Sequence, residues 1–283
     1  MESFELILFF ALIGSVINWF AWKRGYYNAP AFDEKSLTRI SLISLIGVFA
    51  IYLGATMFLS MLIGKLFYSY FVSNPINMIN WTQLFTTLIS ALLLFFFARA
   101  AIDKESLLKI WKDKSFSQKK SIGYDLGLGI VSWLIAFPLV MIIGELSDLF
   151  IYYVFGTENY DQVAVVYLKM TMQHPPLLAI ALFVILIAAP TIEEFLFRGI
   201  LQGWLKQHLG PKAAILLAAL GFAFFHMAPS QGWGNISLIV SLFVFACFLG
   251  FVYEKQRSLF ASIGLHIAFN AVSTLRILFT ADS

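Results

Sequence analysis

Long apolar runs alternate with short polar connections along this chain. An apolar run of roughly 20 residues is what a helix needs to cross a bilayer. Eight such runs are readable, at approximately 4–22, 40–64, 81–101, 124–146, 176–200, 212–228, 236–253 and 259–279. Gly47 and Gly54 fall in the second and Pro138 in the fourth, residues that neighbouring helices of a bundle can accommodate. The pattern predicts an all-α fold, a polytopic transmembrane helical bundle of about eight spans.

Basic residues mark alternate connections. The first holds Lys23, Arg24, Lys35 and Arg39; the third Arg99, Lys104, Lys109, Lys112, Lys114, Lys119 and Lys120; the fifth Arg198, Lys206 and Lys212; the seventh Lys255 and Arg257. The stretch "YSYFVSNPINMIN" in the second and "MAPSQGWGN" in the sixth have no Lys or Arg, and the fourth has only Lys169. Lys and Arg favour the cytoplasmic side, so the odd connections are expected inside and both termini outside, in an integral protein of the cell (plasma) membrane. An even span count, which puts both termini on one side, agrees with this. The third connection reads as an amphipathic surface helix. The stretch 147–175, with Asp148, Glu158, Asp161 and His174, reads as an outer loop with an interfacial helix.

Composition agrees. The 283 residues are 60% hydrophobic and 12% charged, with a mean hydropathy of +0.83, whereas a soluble domain is about half apolar and a quarter charged. No length remains for a large soluble domain. The single cysteine, Cys247, excludes an internal disulfide framework and multi-cysteine metal sites. A net charge of +3 gives no reason to expect a nucleic-acid partner.

Ionisable groups deep in a span are costly and mark function by default. The fifth run contains "APTIEEFLFRG", with Glu193, Glu194 and Arg198. His226 ends the sixth run in "GFAFFHMAP", and His266 and Asn270 lie in the eighth in "IGLHIAFNAV". On a helix, positions four apart share a face, so Glu194 and Arg198 can pair as a buried ion pair. Glu193 is rotated about 100° from Glu194 and needs another partner. The fifth and sixth runs should form a hairpin turning near "HLGPK", with Gly210 ending one helix and Pro211 starting the next. Positions 193 and 226 are equidistant from that turn, which puts Glu193 level with His226. Phe222, one turn before His226, reads as aromatic core that could also shape a pocket.

Three chemistries fit these groups. A carboxylate beside a histidine can activate water as a general base, while a second histidine and an amide can donate to an oxyanion; this suits amide hydrolysis in the membrane. Two histidines and a glutamate could instead hold zinc, although no H-E-x-x-H is present. Glu, His and Arg could also relay protons in a transporter, although no internal repeat or broken helix supports that reading.

Glu193-Glu194-x-x-x-Arg198, Phe222-x-x-x-His226 and His266-x-x-x-Asn270, in that order in consecutive apolar helices, resemble three motifs of the CAAX prenyl protease and bacteriocin-processing (CPBP, or Abi) family of intramembrane proteases. The resemblance covers about 170–280. It implies that Glu193 activates the attacking water with His226 assisting, that His266 and Asn270 form the oxyanion site, and that Glu194 and Arg198 are a supporting pair. It implies a membrane-bound peptide or protein substrate, lipid-modified and CAAX-like in some members. Some relatives are scaffolds without demonstrated proteolysis. The family is often described as metalloproteases, whereas its prenyl-processing members look metal-free; the expectation here is no cofactor, with zinc as the alternative. On this reading residues 1–123, the first three spans and the basic connection, are a variable scaffold, and 124–283 are the protease core.

Overall fold

The computed structural model describes residues 2–28, 30–71, 74–114, 116, 121–156 and 163–280. Lys119, Lys120, Glu158 and Asp161 lie outside them. The described residues form helices α1 (Glu2–Lys23), α2 (Leu42–Phe71), α3 (Pro75–Ala101), α4 (Lys104–Trp111), α5 (Ile122–Phe155) and α6 (Val163–Thr171). A continuous helical stretch, Pro175–Phe225, follows, then α9 (Gly234–Gln256) and α10 (Leu259–Thr280). The long stretch is two helices. Gly210, at φ 76° and ψ 172°, breaks it in a backbone region open to glycine, giving α7 (175–209) and α8 (211–225), with Pro211 opening α8. Seven helical stretches are long and apolar enough to cross a membrane. The break at Gly210 turns seven into the expected eight.

Several helices outrun their apolar cores. α5 has 34 residues, about 51 Å at 1.5 Å per residue, against a hydrocarbon layer of about 30 Å. It begins at Ser121, whose side chain accepts from the Tyr124 N–H, and stops at Gly156 in the left-handed region. Asp148, expected in the outer loop, therefore lies within α5. The two short helices are those expected from the connections: α4, capped by Asp103, and α6.

α5 is the hub, packed against α1, α9 and α10, while α2 and α3 pair with each other and lie against α7. Small residues make the closest contact. A Cβ at Gly129 of α5 would lie 2.0 Å from the Ala261 carbonyl oxygen, and one at Gly264 of α10 would lie 2.4 Å from the Leu126 carbonyl oxygen. Lipid gives helices no hydrophobic reason to associate, so close backbone approach at small residues is the usual device. It seats α10, which carries His266 and Asn270, on the hub. Polarity is distributed as a bilayer demands. Phe4, Leu12, Ile43, Met57, Phe96 and Tyr153 are exposed, whereas Asn80, Ser90, Ser132, Glu194, Arg198 and Gln202 are buried.

Candidate active site

The geometry starts from a proline. In α7 the turns Val184–Ala188 and Phe195–Gln202 are π-helical, on either side of the glutamates; such turns are frequent at functional sites. In the first, the Ala189 N–H reaches back five residues to the Val184 carbonyl. Pro190 comes next and has no N–H for the corresponding acceptor, Ile185. The Asn270 amide fills that place, donating from Nδ2 to the Ile185 oxygen at 2.9 Å. Asn270 thereby ties α10 to the helix that carries the glutamates.

Glu193 and Glu194 diverge as their rotation predicts. Glu194 is completely buried, and its Oε1 lies 3.2 Å from Arg198 NH1 and 2.8 Å from His266 Nδ1. The expected pair exists but is not closed; a histidine shares the same oxygen. Arg198, 1% exposed, also donates from NH2 to the Ala246 carbonyl at 3.2 Å and lies 4.5 Å over the Phe222 ring. The Glu193 side chain keeps 13% of its surface. Its Oε2 is 3.7 Å from His226 Nε2 and 3.8 Å from His266 Nε2. Those gaps exceed a direct hydrogen bond and suit an oxygen bonded to both sides.

Both imidazoles are held from behind. His226 sits at the C-cap of α8 at φ −90° and ψ 0°, a sparsely populated region where active-site residues recur. Its Nδ1 donates to the Phe222 carbonyl at 2.8 Å, which leaves Nε2 toward Glu193. His266 donates from Nδ1 to Glu194 and likewise presents Nε2 to Glu193. Phe222, 1% exposed, is the common plate, 4.6 Å from the His226 ring and 5.8 Å from the His266 ring. Thus Glu193, His226 and His266 converge, Glu194, Arg198 and Phe222 support them, and Asn270 is engaged by the α7 backbone. The expected levelling of Glu193 with His226 is met because α7 and α8 both run to the turn at Gly210.

A polar ladder, missed in the sequence, extends from the site toward the basic end. Glu194, Arg198, Gln202 and Lys206 recur every four residues on α7, opposite Ala246, Gly250 and Glu254 on α9. Arg198 donates to the Ala246 carbonyl, Gln202 to the Gly250 carbonyl at 3.2 Å and to Glu254 at 3.1 Å, and Lys206 to Glu254 at 2.7 Å. Lys206 is therefore a buried partner rather than a solvated loop charge. Its signal was the period-four continuation of E-x-x-x-R.

Among the described residues no three His, Cys, Asp or Glu side chains are grouped so as to hold a metal ion.

Residues 175–272 match the family model described as type II CAAX prenyl endopeptidase Rce1-like. No curated protein and no solved structure matches the chain. The matched segment contains Glu193, Glu194, Arg198, Phe222, His226, His266 and Asn270, and leaves α1–α6 outside it.

Proposed function

We propose that the protein is an intramembrane endopeptidase that hydrolyses a peptide bond of a membrane-associated, CAAX-like lipid-modified substrate. The observation that carries this reading is the convergence of two imidazole Nε2 atoms on one carboxylate oxygen, Glu193 Oε2. A water bound among these groups loses a proton to Glu193 as its oxygen bonds to the carbonyl carbon. The oxyanion takes hydrogen bonds from His266, once Nε2 is protonated with Glu194 behind it, and from the second Asn270 amide hydrogen. The C–N bond then breaks, and the proton passes from Glu193 to the leaving nitrogen with His226 assisting. Basic connections on the Gly210 side support a cytoplasmic placement of that side, with both termini outside and entry of the substrate from the cytoplasmic leaflet.

The test is cleavage of a farnesylated CAAX peptide by the purified protein in liposomes, with the unprenylated peptide alongside. Glu193→Gln should abolish cleavage while leaving a folded, inserted protein; retained activity would sink the mechanism. Inhibition by a chelator, reversed by zinc, would replace glutamate catalysis with the metal version. Proton flux without cleavage would favour a transporter.

A further inference from the structure

The matched segment begins at residue 175, yet the mouth of the site is also walled by α2. The register between α2 and α7 is fixed near the basic end. A Cβ at Gly203 would meet Thr38 Oγ1 at 2.9 Å and Ile40 Cδ1 at 3.0 Å, and Gln207 donates to the Ile40 carbonyl at 3.3 Å. From that level the two helices rise antiparallel. Glu193 lies about 15 Å above Gly203, and Tyr52 about 18 Å above Ile40, at 1.5 Å per residue. Aromatic contacts mark the way. The Phe49 ring is 5.5 Å from Phe197, and the Tyr52 ring is 6.0 Å from Phe225, the residue before His226.

Tyr52 is partly buried, and its phenol lies within electrostatic reach of the Glu193 carboxylate. Among the described residues its hydroxyl makes no hydrogen bond to the protein. A tyrosine with its ring packed on apolar neighbours usually gives its hydroxyl a polar partner. We propose that this partner is the substrate: Tyr52 is a substrate-contacting residue, and its O–H donates to the peptide backbone bound over Glu193. The donor comes from α2, a different helix from the one that carries His266 and Asn270. The first spans would then contribute to peptide recognition and not only to scaffolding.

This inference rests on the peptidase reading, and its test separates the two. Tyr52→Phe deletes one oxygen and keeps the ring on Phe225. It should lower kcat/KM for the farnesylated peptide about 10- to 100-fold with an unchanged melting temperature. Wild-type kcat/KM in Tyr52→Phe would overturn the proposal. Independently of turnover, a fluorescent farnesylated peptide should bind Glu193→Gln/Tyr52→Phe at least several-fold more weakly than Glu193→Gln. If the wild type cleaves nothing, the peptidase reading fails and this binding comparison decides Tyr52: weaker binding keeps it as a peptide contact, equal binding removes it.

Discussion

Glu193 and Glu194 are neighbours in sequence and opposites in environment. Glu194 has no exposed surface and belongs to a ladder in which Arg198, Gln202, Lys206 and Glu254 partner one another and the α9 backbone. Glu193 keeps some surface and faces two imidazoles across gaps of 3.7 and 3.8 Å. A charge closed in by partners holds helices in register. A charge left one atom short of its partners is available for a ligand. The contrast teaches that one residue step along a helix can separate structure from chemistry, because about 100° of rotation selects a different neighbour.

Three substitutions test that division, from the largest effect to the smallest, and a fourth, at Asp103, is a control outside it. Arg198→Ala should be the most damaging to the fold. Removing one partner of a buried pair costs about 3–5 kcal/mol, so thermal unfolding in detergent should drop by many degrees; a stable and active variant would show that the ladder does not need its cation. Glu193→Gln should do the reverse, leaving the melting temperature in place while peptide cleavage is abolished, a fall of at least about 10²–10⁴-fold, the contribution of a general base. The two variants measured side by side would merge the glutamates into one class if both lost stability equally. Gly129→Ala, at the α5–α10 contact, forces a Cβ against the Ala261 carbonyl and should cost about 1–3 kcal/mol. Because α10 carries His266, its activity should fall along with its stability, which differential scanning fluorimetry and cleavage would both register.

Asp103 lies outside both regions and gives the smallest effect. It caps α4, accepting from the Ser106 N–H at 2.9 Å. Burial works to raise its pKa, but the Ser106 and Glu105 N–H groups, the Ser106 hydroxyl and the Arg39 charge outweigh it and hold the carboxyl below its ordinary value of 3.8. Its contribution is therefore complete above that unfolded value and disappears as pH falls through the lower folded one. Asp103→Ala should cost about 1 kcal/mol at neutral pH and nothing in strong acid, with cleavage unaffected; a pH-independent difference in melting temperature would contradict the capping.

The sequence by itself determined the spans, because an apolar run long enough to cross a bilayer has no other stable use. It determined the turn at Gly210 and Pro211, since backbone restrictions are local. It also determined the separation of Glu193 from Glu194 and the level of His226, since both follow from helical period and equal distance from a turn. What it could not carry was the identity of partners brought in from distant helices. His266 reaching Glu194, Asn270 taking the carbonyl that Pro190 leaves unbonded, Glu254 meeting Lys206 and Tyr52 facing the site all depend on how helices rotate and approach. Those are set by glycine contacts at Gly129 and Gly264 and by the π-turns of α7. Helical periodicity says which residues share a face; only packing of the whole bundle decides what that face meets.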